Sequence, residues 1–351
     1  MYDIVGKRNL WFTISAILTI PGLIFIFLGG LRPSIDFTGG TEWEVRYEQE
    51  PTAAEMTDAL AGLGYDEAVV TELSDGILRI RTEPIDLIPP GGLAPEASPS
   101  LTASAEASGS PGASPEASPT ASPAPTASET PSAEPTPAPI AEGTEFADLE
   151  AELENRFGEG DPRSVRTVGP IIGADLIRSS AILIVIGELF ILAYLWMRFG
   201  FRFGTAAIVA LLHDVILVVG TFAILGFFLN VEFDALFVTA LLTIIGFSVH
   251  DTIVVFDRIR ENRVRHANES FGAIVNHSIL QTVGRSIITS LTVIVTLGAL
   301  LLLGPPTIRT FTLALLLGIV SGTYSSIFNA SQILVAWDEW SRRRRDRPAR
   351  A

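Results

Sequence analysis

Three acidic residues and two histidines stand inside long apolar stretches of this sequence, where ionisable groups are rare. They are Glu188, His213, Asp214, His250 and Asp251. Loss of hydration and a nearby cation change the proton affinity of a buried carboxylate in opposite directions, so such a group can be poised to bind and release protons near physiological pH. These residue types therefore point to proton transfer within a membrane.

Asp251 is the residue around which we expect the chain to be organised. It lies in an apolar run from Ala235 to Phe256, which at a helical rise of ~1.5 Å per residue can cross a bilayer core of ~30 Å. A charged side chain near mid-bilayer costs roughly 2.5–3.5 kcal/mol on insertion scales, so it has a function or meets a partner. A structural hydrogen bond to a neighbouring helix is the alternative.

Arg285, at the start of the fifth apolar run, is the predicted cationic partner of Asp251. Asp251 lies six residues before Asp257, or roughly 9 Å of helix rise inside it, a depth compatible with a reversible ion pair to Arg285. The alternative is that Arg285 snorkels to the interface and serves orientation alone. For the other ionisable groups of the spans we favour hydrogen bonding between helices, with the imidazoles neutral: Glu188, Asp214, His213 and His250.

Composition and missing motifs exclude several functional classes. The chain has 351 residues, of which 48% are hydrophobic, and a net charge of −15 from 24 basic and 39 acidic residues, which argues against nucleic-acid binding. Without cysteine, disulfides and thiolate catalysis are excluded, and the four histidines lack metal-ligand spacing. The sequence contains no nucleophile elbow, Walker loop or zinc motif. We therefore expect no enzyme activity, metal or cofactor.

Six apolar stretches are long enough to span a membrane. They run from Leu10 to Leu28, Ala174 to Met197, Phe203 to Leu229, Ala235 to Phe256, Ser286 to Leu303 and Thr310 to Ala336. The first is too long for a signal-peptide core and lacks a convincing cleavage site, so we expect it to be retained. Apolar spacing from Phe271 to Ile279 suggests a helix on the membrane surface, unless the fifth span starts early.

Basic residues predict the orientation of the spans. If the spans alternate, four basic groups share one side, which the positive-inside rule identifies as the cytoplasm, with both termini there. These groups are Lys7 with Arg8, Arg198 with Arg202, the arginines from Arg258 to Arg265, and Arg342 to Arg345. In the last span, Gly318 and Gly322 form a G-x-x-x-G pattern, which is typical of close helix packing.

A small α+β domain is predicted outside the membrane between the first two spans. It follows Asp36-Phe37-Thr38-Gly39-Gly40, and its periodicities give the order βαββαβ of a ferredoxin-like fold. An insert rich in Pro, Ala, Ser, Thr and Glu interrupts it; we expect disorder, with an O-glycosylated stalk as the alternative. The predicted segments are 1–33 (first span), 34–88 and 143–170 (domain halves), 89–142 (insert), 171–337 (spans two to six) and 338–351 (basic tail).

Four motifs carry a resemblance to a known family. They are the segment from Asp36 to Thr41, the segment from Val168 to Gly173, the pair His213-Asp214, and the run Asp251-Thr252-Ile253-Val254-Val255-Phe256-Asp257-Arg258-Ile259-Arg260-Glu261-Asn262. With them the chain resembles the SecF family, the smaller membrane subunits of the bacterial SecD–SecF protein-export factor, of the resistance-nodulation-division type. The resemblance covers all six spans and both domain halves. His250 stands where the family commonly has Asn, and the long insert departs from compact relatives.

The resemblance implies a SecD-like partner, association with the SecYEG channel and its SecA motor, and use of the proton gradient to help draw secreted polypeptides outward across the bacterial cell membrane. It gives Asp251 the role of the proton-carrying aspartate and Arg285 that of its partner. Asp257 and Arg258 belong to the same motif.

Two other functional classes compete with this one. A half-transporter of the same superfamily exporting another substrate is the first, although six spans make only half of a pseudo-symmetric transporter and call for a partner. An intramembrane aspartyl protease is the second; its Gly-x-Gly-Asp helix motif is absent from the six apolar runs.

Overall fold

The computed structural model describes residues 3–73, 76–85, 87 and 143–345. These residues divide into two compact units, one formed by Met1–Gly40 with Val168–Ala351 and the other by Thr41–Thr167. The predicted insert at 89–142 lies entirely outside the described residues, which resume at 143.

Helices of membrane-spanning length make up most of the first unit. Six helical runs in the described ranges are long and apolar enough to cross a membrane, which confirms the six predicted spans. Their helices are α1 (Arg8–Phe27), α5 (Pro170–Phe199), α6 (Phe201–Leu229), α7 (Ala235–Arg265), α8 (Phe271–Leu303), and α9 (Arg309–Ser325) with α10 (Ser331–Arg345).

The fifth span differs from its predicted form. Helix α8 runs without a break from Phe271 to Leu303, so no separate surface helix precedes it, and the alternative of an early start is correct. Ser270 begins the helix, because its hydroxyl oxygen accepts a hydrogen bond from the backbone N–H of Ala273 at 3.3 Å. The apolar spacing that suggested a surface helix instead packs into the bundle, where Ile274, Val275 and Ile279 are buried.

The sixth span contains a π-helical segment, Ser326–Ala330, between α9 and α10. A π segment fits one extra residue into a helical turn and is frequently found at functional sites. Here it is buried among other spans, and Ser326 and Ala330 are fully buried.

Ion pairs between helix ends gather the basic segments at one end of the bundle. Arg8, at the start of α1, lies 2.6 Å from Glu339 near the end of α10. Arg198, at the end of α5, lies 3.1 Å from Asp257 in the last third of α7. Arg202, four residues after Arg198, lies 4.0 Å from Asp338 of α10 and so connects the two pairs. The start of the first span and the ends of the second, fourth and sixth therefore share one end, as alternating spans require.

The second unit is the predicted α+β domain. Its elements follow the order β2 (Gly40–Tyr47), α3 (Ala53–Gly62), β3 (Val69–Glu72), β4 (Leu78–Thr82), α4 (Glu145–Phe157) and β5 (Gly160–Val168). The sheet order is β3-β4-β2-β5, with β2 and β3 both antiparallel to β4. This arrangement confirms the ferredoxin-like prediction.

Alternation along the strands builds the core of this domain. Trp43 and Val45 of β2 point to the same face as Ile80 of β4, and all three are at most 2% exposed. Phe146 of α4 packs edge to face on Trp43, with ring centroids 5.2 Å apart. The opposite face is charged, and Arg79 lies 2.6 Å from Glu44 of the neighbouring strand.

Candidate functional site

Polar residues of α7 face the inside of the bundle at helical spacing. Ser248, Asp251 and Thr252 are buried, at 2%, 5% and 2% exposure, whereas His250 between them is exposed. Positions three and four apart share one face of a helix, so the three side chains form a polar stripe inside the spans. The hydrogen bonds of Asp251 differ from those of Ser248 and Thr252 on either side of it.

Asp251 accepts only one hydrogen bond among the described residues. Its Oδ1 receives the hydroxyl of Ser286 on α8 at 3.0 Å. Its Oδ2 is buried and has no hydrogen-bond partner in the described part of the chain. An ionised carboxylate offers about four acceptor positions, so most of those of Asp251 are free. One oxygen of this carboxyl group is thus available to hold a proton.

Arg285, the predicted partner, is the residue before Ser286 and has an exposed side chain. It forms no ion pair with Asp251 or with any other residue the structure describes; the neighbouring Ser286 makes the contact instead. The guanidinium lines a cavity with Asp257 and Glu261 near the basic end of the bundle. Its pairing with Asp251 stays a prediction.

Asp214 of α6 is surrounded by donors. Its Oδ2 accepts the hydroxyls of Ser248 at 2.7 Å and of Ser325, and its Oδ1 accepts the hydroxyl of Ser321 at 2.8 Å. His213 Nδ1 lies 3.1 Å from Oδ1 and completes a set of four. Because three serine hydroxyls and an imidazole nitrogen converge on one carboxylate, this group holds α6, α7 and α9 together.

The π-helical segment forms the other side of the stripe. The hydroxyls of Ser326 and Thr252 are 2.9 Å apart, and Ser326 also donates to the backbone carbonyl of Ser248 at 3.2 Å. The residues that flank Asp251 on its own helix are therefore both tied to the sixth span. Among the described residues, Asp251 itself is hydrogen-bonded only to the fifth span.

The remaining predicted ionisable residues do not join this cluster. Glu188 is half-buried on α5, and its buried Oε1 has no partner among the described residues; no interhelical hydrogen bond to it is seen there. His250 is exposed, on the opposite side of α7 from the stripe. The buried Nε2 of His213 also lacks a described partner. Glu188 and His250 thus lie apart from the Asp214 and Asp251 contacts.

The Asp36 motif forms a joint at the other end of the bundle. After α1, the short strand β1 (Arg32–Pro33) pairs in parallel with β6 (Glu232–Phe233), which precedes α7. The one-turn helix α2 (Ile35–Thr38) follows β1, and Asp36 Oδ2 accepts the backbone N–H of Ala235 at 3.0 Å. A carboxylate at this position satisfies one free N–H of α7 and favours its dipole. The motif therefore caps the helix that carries Asp251.

Glycines allow the same motif to pack against the start of α5. Gly39 has φ +76°, a left-handed conformation that side chains rarely adopt, and a Cβ there would lie 2.8 Å from Pro170 Cα. A Cβ on Gly173 would lie 2.6 Å from the carbonyl oxygen of Phe37. Phe37 in turn stacks near Phe233, with centroids 5.4 Å apart.

Asp257 and Arg258 lie at the polar end of α7. Asp257 pairs with Arg198, and Arg258 pairs with Glu261 at 2.8 Å, all with partly exposed side chains. Exposed ion pairs contribute about 0–1 kcal/mol each. Their position favours a role in fastening helix ends over a role in chemistry.

Sequence reasoning missed the serines that complete both carboxylate sites: Ser248, Ser286, Ser321 and Ser325. The spacing of Ser321 and Ser325, four residues apart in an apolar span, was the available signal, because serines at this spacing share a helix face. The capping role of Asp36 was also missed. Among the described residues no cluster of three or more His, Cys, Asp or Glu side chains could hold a metal ion.

The predicted G-x-x-x-G surface lies beside this cluster. A Cβ on Gly318 would come within 2.3 Å of Ile244 of α7, and one on Gly322 within 3.1 Å of Ser248 Cβ. The two glycines let α9 approach α7 closely enough for the serine contacts to form.

Gly318→Ala is expected to destabilise the protein by roughly 1–3 kcal/mol, because overpacking forces Ile244 to shift. The midpoint of thermal unfolding in detergent measures the effect. Gly298→Ala on α8 is the matched control, since a Cβ there meets no atom of a described residue within 4 Å. Equal midpoints for the two variants would contradict close α7–α9 packing.

Two family models match the chain. The model for protein export membrane protein SecD/SecF, C-terminal, matches residues 148–340, and the model for the SecD/SecF GG motif matches residues 24–51. The second match covers the Asp36 motif and the end of the first span. Together the matches cover the Asp36 motif, the start of α7 that it caps, and the polar stripe.

Individual relatives extend the match over nearly the whole chain. The protein translocase subunit SecF of Thermobaculum terrenum is 43% identical over 343 residues, covering 96% of this chain and 94% of that protein. The protein translocase subunit SecDF of Thermus thermophilus is 41% identical over 211 residues, covering 57% of this chain and 28% of that protein.

A solved structure shows the same fold. The crystal structure of SecDF, a translocon-associated membrane protein from Thermus thermophilus, has a TM-score of 0.72 at 30% identity and is matched over 96% of this chain and 39% of its own. The chain thus spans about two fifths of that longer protein, at 39%. The relatives are translocase subunits, hence transport components, and the family implies a SecD partner. The chain therefore belongs to the SecD/SecF family of protein-export membrane proteins, among the SecF translocase subunits.

Proposed function

We propose that this chain works with a SecD-like partner and uses the proton gradient to promote movement of secreted polypeptides through SecYEG after SecA has pushed them in. The observation that carries the proposal is the carboxyl group of Asp251, which is buried within a span, held by one hydroxyl, and has a second oxygen without a partner among the described residues. Such a group can accept a proton without breaking existing contacts.

The contrast with Asp214 supports assigning proton transfer to Asp251. Asp214 is as buried as Asp251 but accepts three serine hydroxyls and also contacts His213 Nδ1, so protonating it would displace a donor. Protonation of Asp251 displaces none. Of the two carboxylates, Asp251 is the one whose charge can change at low cost to the surrounding structure.

The free energy released when a proton moves down the membrane potential is sufficient for a conformational change. Moving one charge through a membrane potential is worth ~2.3 kcal/mol per 100 mV, enough to bias helix arrangements that differ by a few kcal/mol. Arg285 is the proposed coupling cation, because it adjoins Ser286 and has no ion pair among the described residues. Since neighbouring residues of a helix are about 100° apart, a rotation of α8 would exchange Ser286 for Arg285 at Asp251.

The proposed orientation has both termini in the cytoplasm of the bacterial cell. The basic end of the bundle carries Arg8, Arg198 and the arginines at the ends of the fourth and sixth spans, and basic residues beside spans favour the cytoplasmic side. The α+β domain would then lie outside the membrane. Protons would move from that side toward the basic end.

A double-mutant cycle tests the coupling of Asp251 with Arg285. Arg285→Lys keeps the charge but loses the planar fork, so we expect lower gradient-dependent export and a shifted dependence on external pH. Asp251→Glu and the double variant complete the cycle, measured as export of a secreted protein from cells or into inverted vesicles.

Non-additive effects are the expected result, since residues that act as a pair do not respond independently. Strictly additive effects, or full activity of Arg285→Lys, would mean that Arg285 only orients the span. Partner co-purification with each variant serves as the control for assembly.

A further inference from the structure

The last helix of the bundle, α10, ends in a run of arginines at the basic end. Its two acidic residues are already paired with arginines that precede this run or begin it. Asp338 lies 2.7 Å from Arg342 of the same helix, and Glu339 lies 2.6 Å from Arg8 of α1. The arginines that follow Arg342 therefore add positive charge that no acidic residue in the described part of α10 balances.

Two of these arginines have no acidic partner. Arg343 and Arg344 are exposed, and neither forms an ion pair or a hydrogen bond with any residue that the structure describes. A guanidinium carries its N–H donors in a planar fork that matches the oxygens of a phosphate group. The two side chains thus offer a phosphate two positive charges and several hydrogen-bond donors.

Arg344 is held in place by an aromatic ring. Its Cζ lies 3.9 Å from the centroid of the Trp340 indole, four residues earlier, and this indole is 51% exposed. Side chains on a helix tilt toward its N-terminus, so Arg344 extends from its own Cα back toward the span. A guanidinium that stacks on a ring still presents its N–H groups along its edges. The stack therefore positions these donors at the end of the membrane-spanning segment.

Other aromatic side chains mark this level of the bundle as the edge of the membrane. Trp337 packs edge to face on Phe201, where α6 begins, with ring centroids 6.0 Å apart, and Phe201 lies 5.5 Å from Trp196 near the end of α5. Phe201 and Trp196 are exposed. Tryptophan is enriched at the level of the lipid headgroups, so Arg343 and Arg344 lie close to the phosphates of the bilayer.

We propose that the end of α10, with Arg343, Arg344 and Trp340, binds the phosphate of an anionic phospholipid in the leaflet at the basic end of the bundle. The source of the phosphate is a lipid, because the site lies beside the interfacial rings and its positive charge is not balanced by the acidic residues of α10. The inference does not rest on the proposed role of Asp251, which lies elsewhere in the bundle.

Lipid binding to the purified full chain tests the proposal. The protein is delipidated in detergent and titrated with phosphatidylglycerol or phosphatidylcholine, and native mass spectrometry counts the bound lipids. Phosphatidylglycerol should bind more tightly. The double variant Arg343→Gln with Arg344→Gln should bind it about 20-fold more weakly, since each basic residue near an anionic surface contributes about fivefold in affinity. Trp340→Ala, which keeps both charges, should weaken binding about threefold, because the cation–π contact is lost.

Arg263→Gln with Arg265→Gln is the matched control, since it removes the same charge from the same end of the bundle. Both arginines are exposed; Arg265 lies 2.7 Å from Glu261, and Arg263 lies 6.0 Å from the ring centroid of Phe271. This variant should keep its affinity for phosphatidylglycerol within about twofold of the unmodified protein, because neither arginine belongs to the site. The unfolding midpoint in detergent, measured for every variant, should not move.

Any of three results would overturn the proposal. Equal affinity for the two lipids would mean that the arginines only orient the span, and equal losses in the two double variants would mean that binding follows total charge. Release of bound phosphatidylglycerol by inorganic phosphate would mean that the site takes a free anion. If the Arg343 and Arg344 double variant fails to insert, Trp340→Ala decides the question, because full affinity in that variant would rule out a defined site.

Discussion

Asp251→Asn is expected to leave the protein assembled and to abolish the stimulation of export by the proton gradient. Asparagine is nearly isosteric, and its carbonyl oxygen can still accept the hydroxyl of Ser286, so packing at the site is preserved. It cannot bind and release a proton. Export of a secreted protein into inverted vesicles, with and without a gradient, measures the loss, and co-purification of the SecD-like partner measures assembly.

Asp175→Asn is the matched control for this variant. Asp175 lies in the first turns of α5, is exposed, and makes no hydrogen bond or ion pair with any residue the structure describes. The same chemical change there should leave stimulation at the wild-type level. Normal stimulation in Asp251→Asn would remove this residue from the coupling route.

Asp214→Ala is expected to have the opposite outcome, with lost stability and no assembled protein to assay. The substitution removes the acceptor for three serine hydroxyls and one imidazole. Hydrogen bonds between spans average about 0.6 kcal/mol, and unsatisfied buried groups cost about 1–3 kcal/mol, so we expect a loss of roughly 2–4 kcal/mol. Serine hydroxyls can turn to carbonyls of their own helix, which favours the lower end.

The unfolding midpoint in detergent and the yield of membrane-inserted protein measure this loss. Ser321→Ala, which removes one donor and leaves three, should cost only about 0.6 kcal/mol. A fully stable Asp214→Ala protein without gradient-dependent activity would mean that Asp214 carries protons and is not a structural centre. The two aspartates therefore make opposite predictions for closely related substitutions.

The sequence was sufficient for the number of spans and for the topology of the α+β domain. Membrane length and apolar content are properties of single segments, so the run around Asp251 could be recognised as a span without knowledge of the other helices. The strands of the domain alternate in burial, with Trp43 and Val45 buried and Glu44 between them less buried. This two-residue period can also be read from one segment of sequence. Element ends differ by a few residues, as for the second span, whose helix starts at Pro170 where Ala174 was expected.

Contacts between spans could not be predicted in the same way. Serine is common in membrane helices, and nothing near Ser248 or Ser325 indicates that both face the carboxylate of Asp214. The neighbour of Asp251 depends on the rotation of α8, where a change of one residue exchanges Ser286 for Arg285. Helix rotation is set by packing over the whole bundle, so pattern alone cannot choose between these adjacent residues.

The π-helical segment in the sixth span also determines which side of the following helix faces the core. An α-helix turns about 100° per residue, and the segment from Ser326 to Ala330 absorbs one residue beyond a regular turn. If the same five residues formed regular α-helix, everything beyond Ala330 would be rotated by about 100°, the turn of one residue. Buried Leu334 and Val335 would then turn away from the core. Deleting one residue within the segment would instead restore a regular helix and keep the present facing, because the segment takes up the one extra residue.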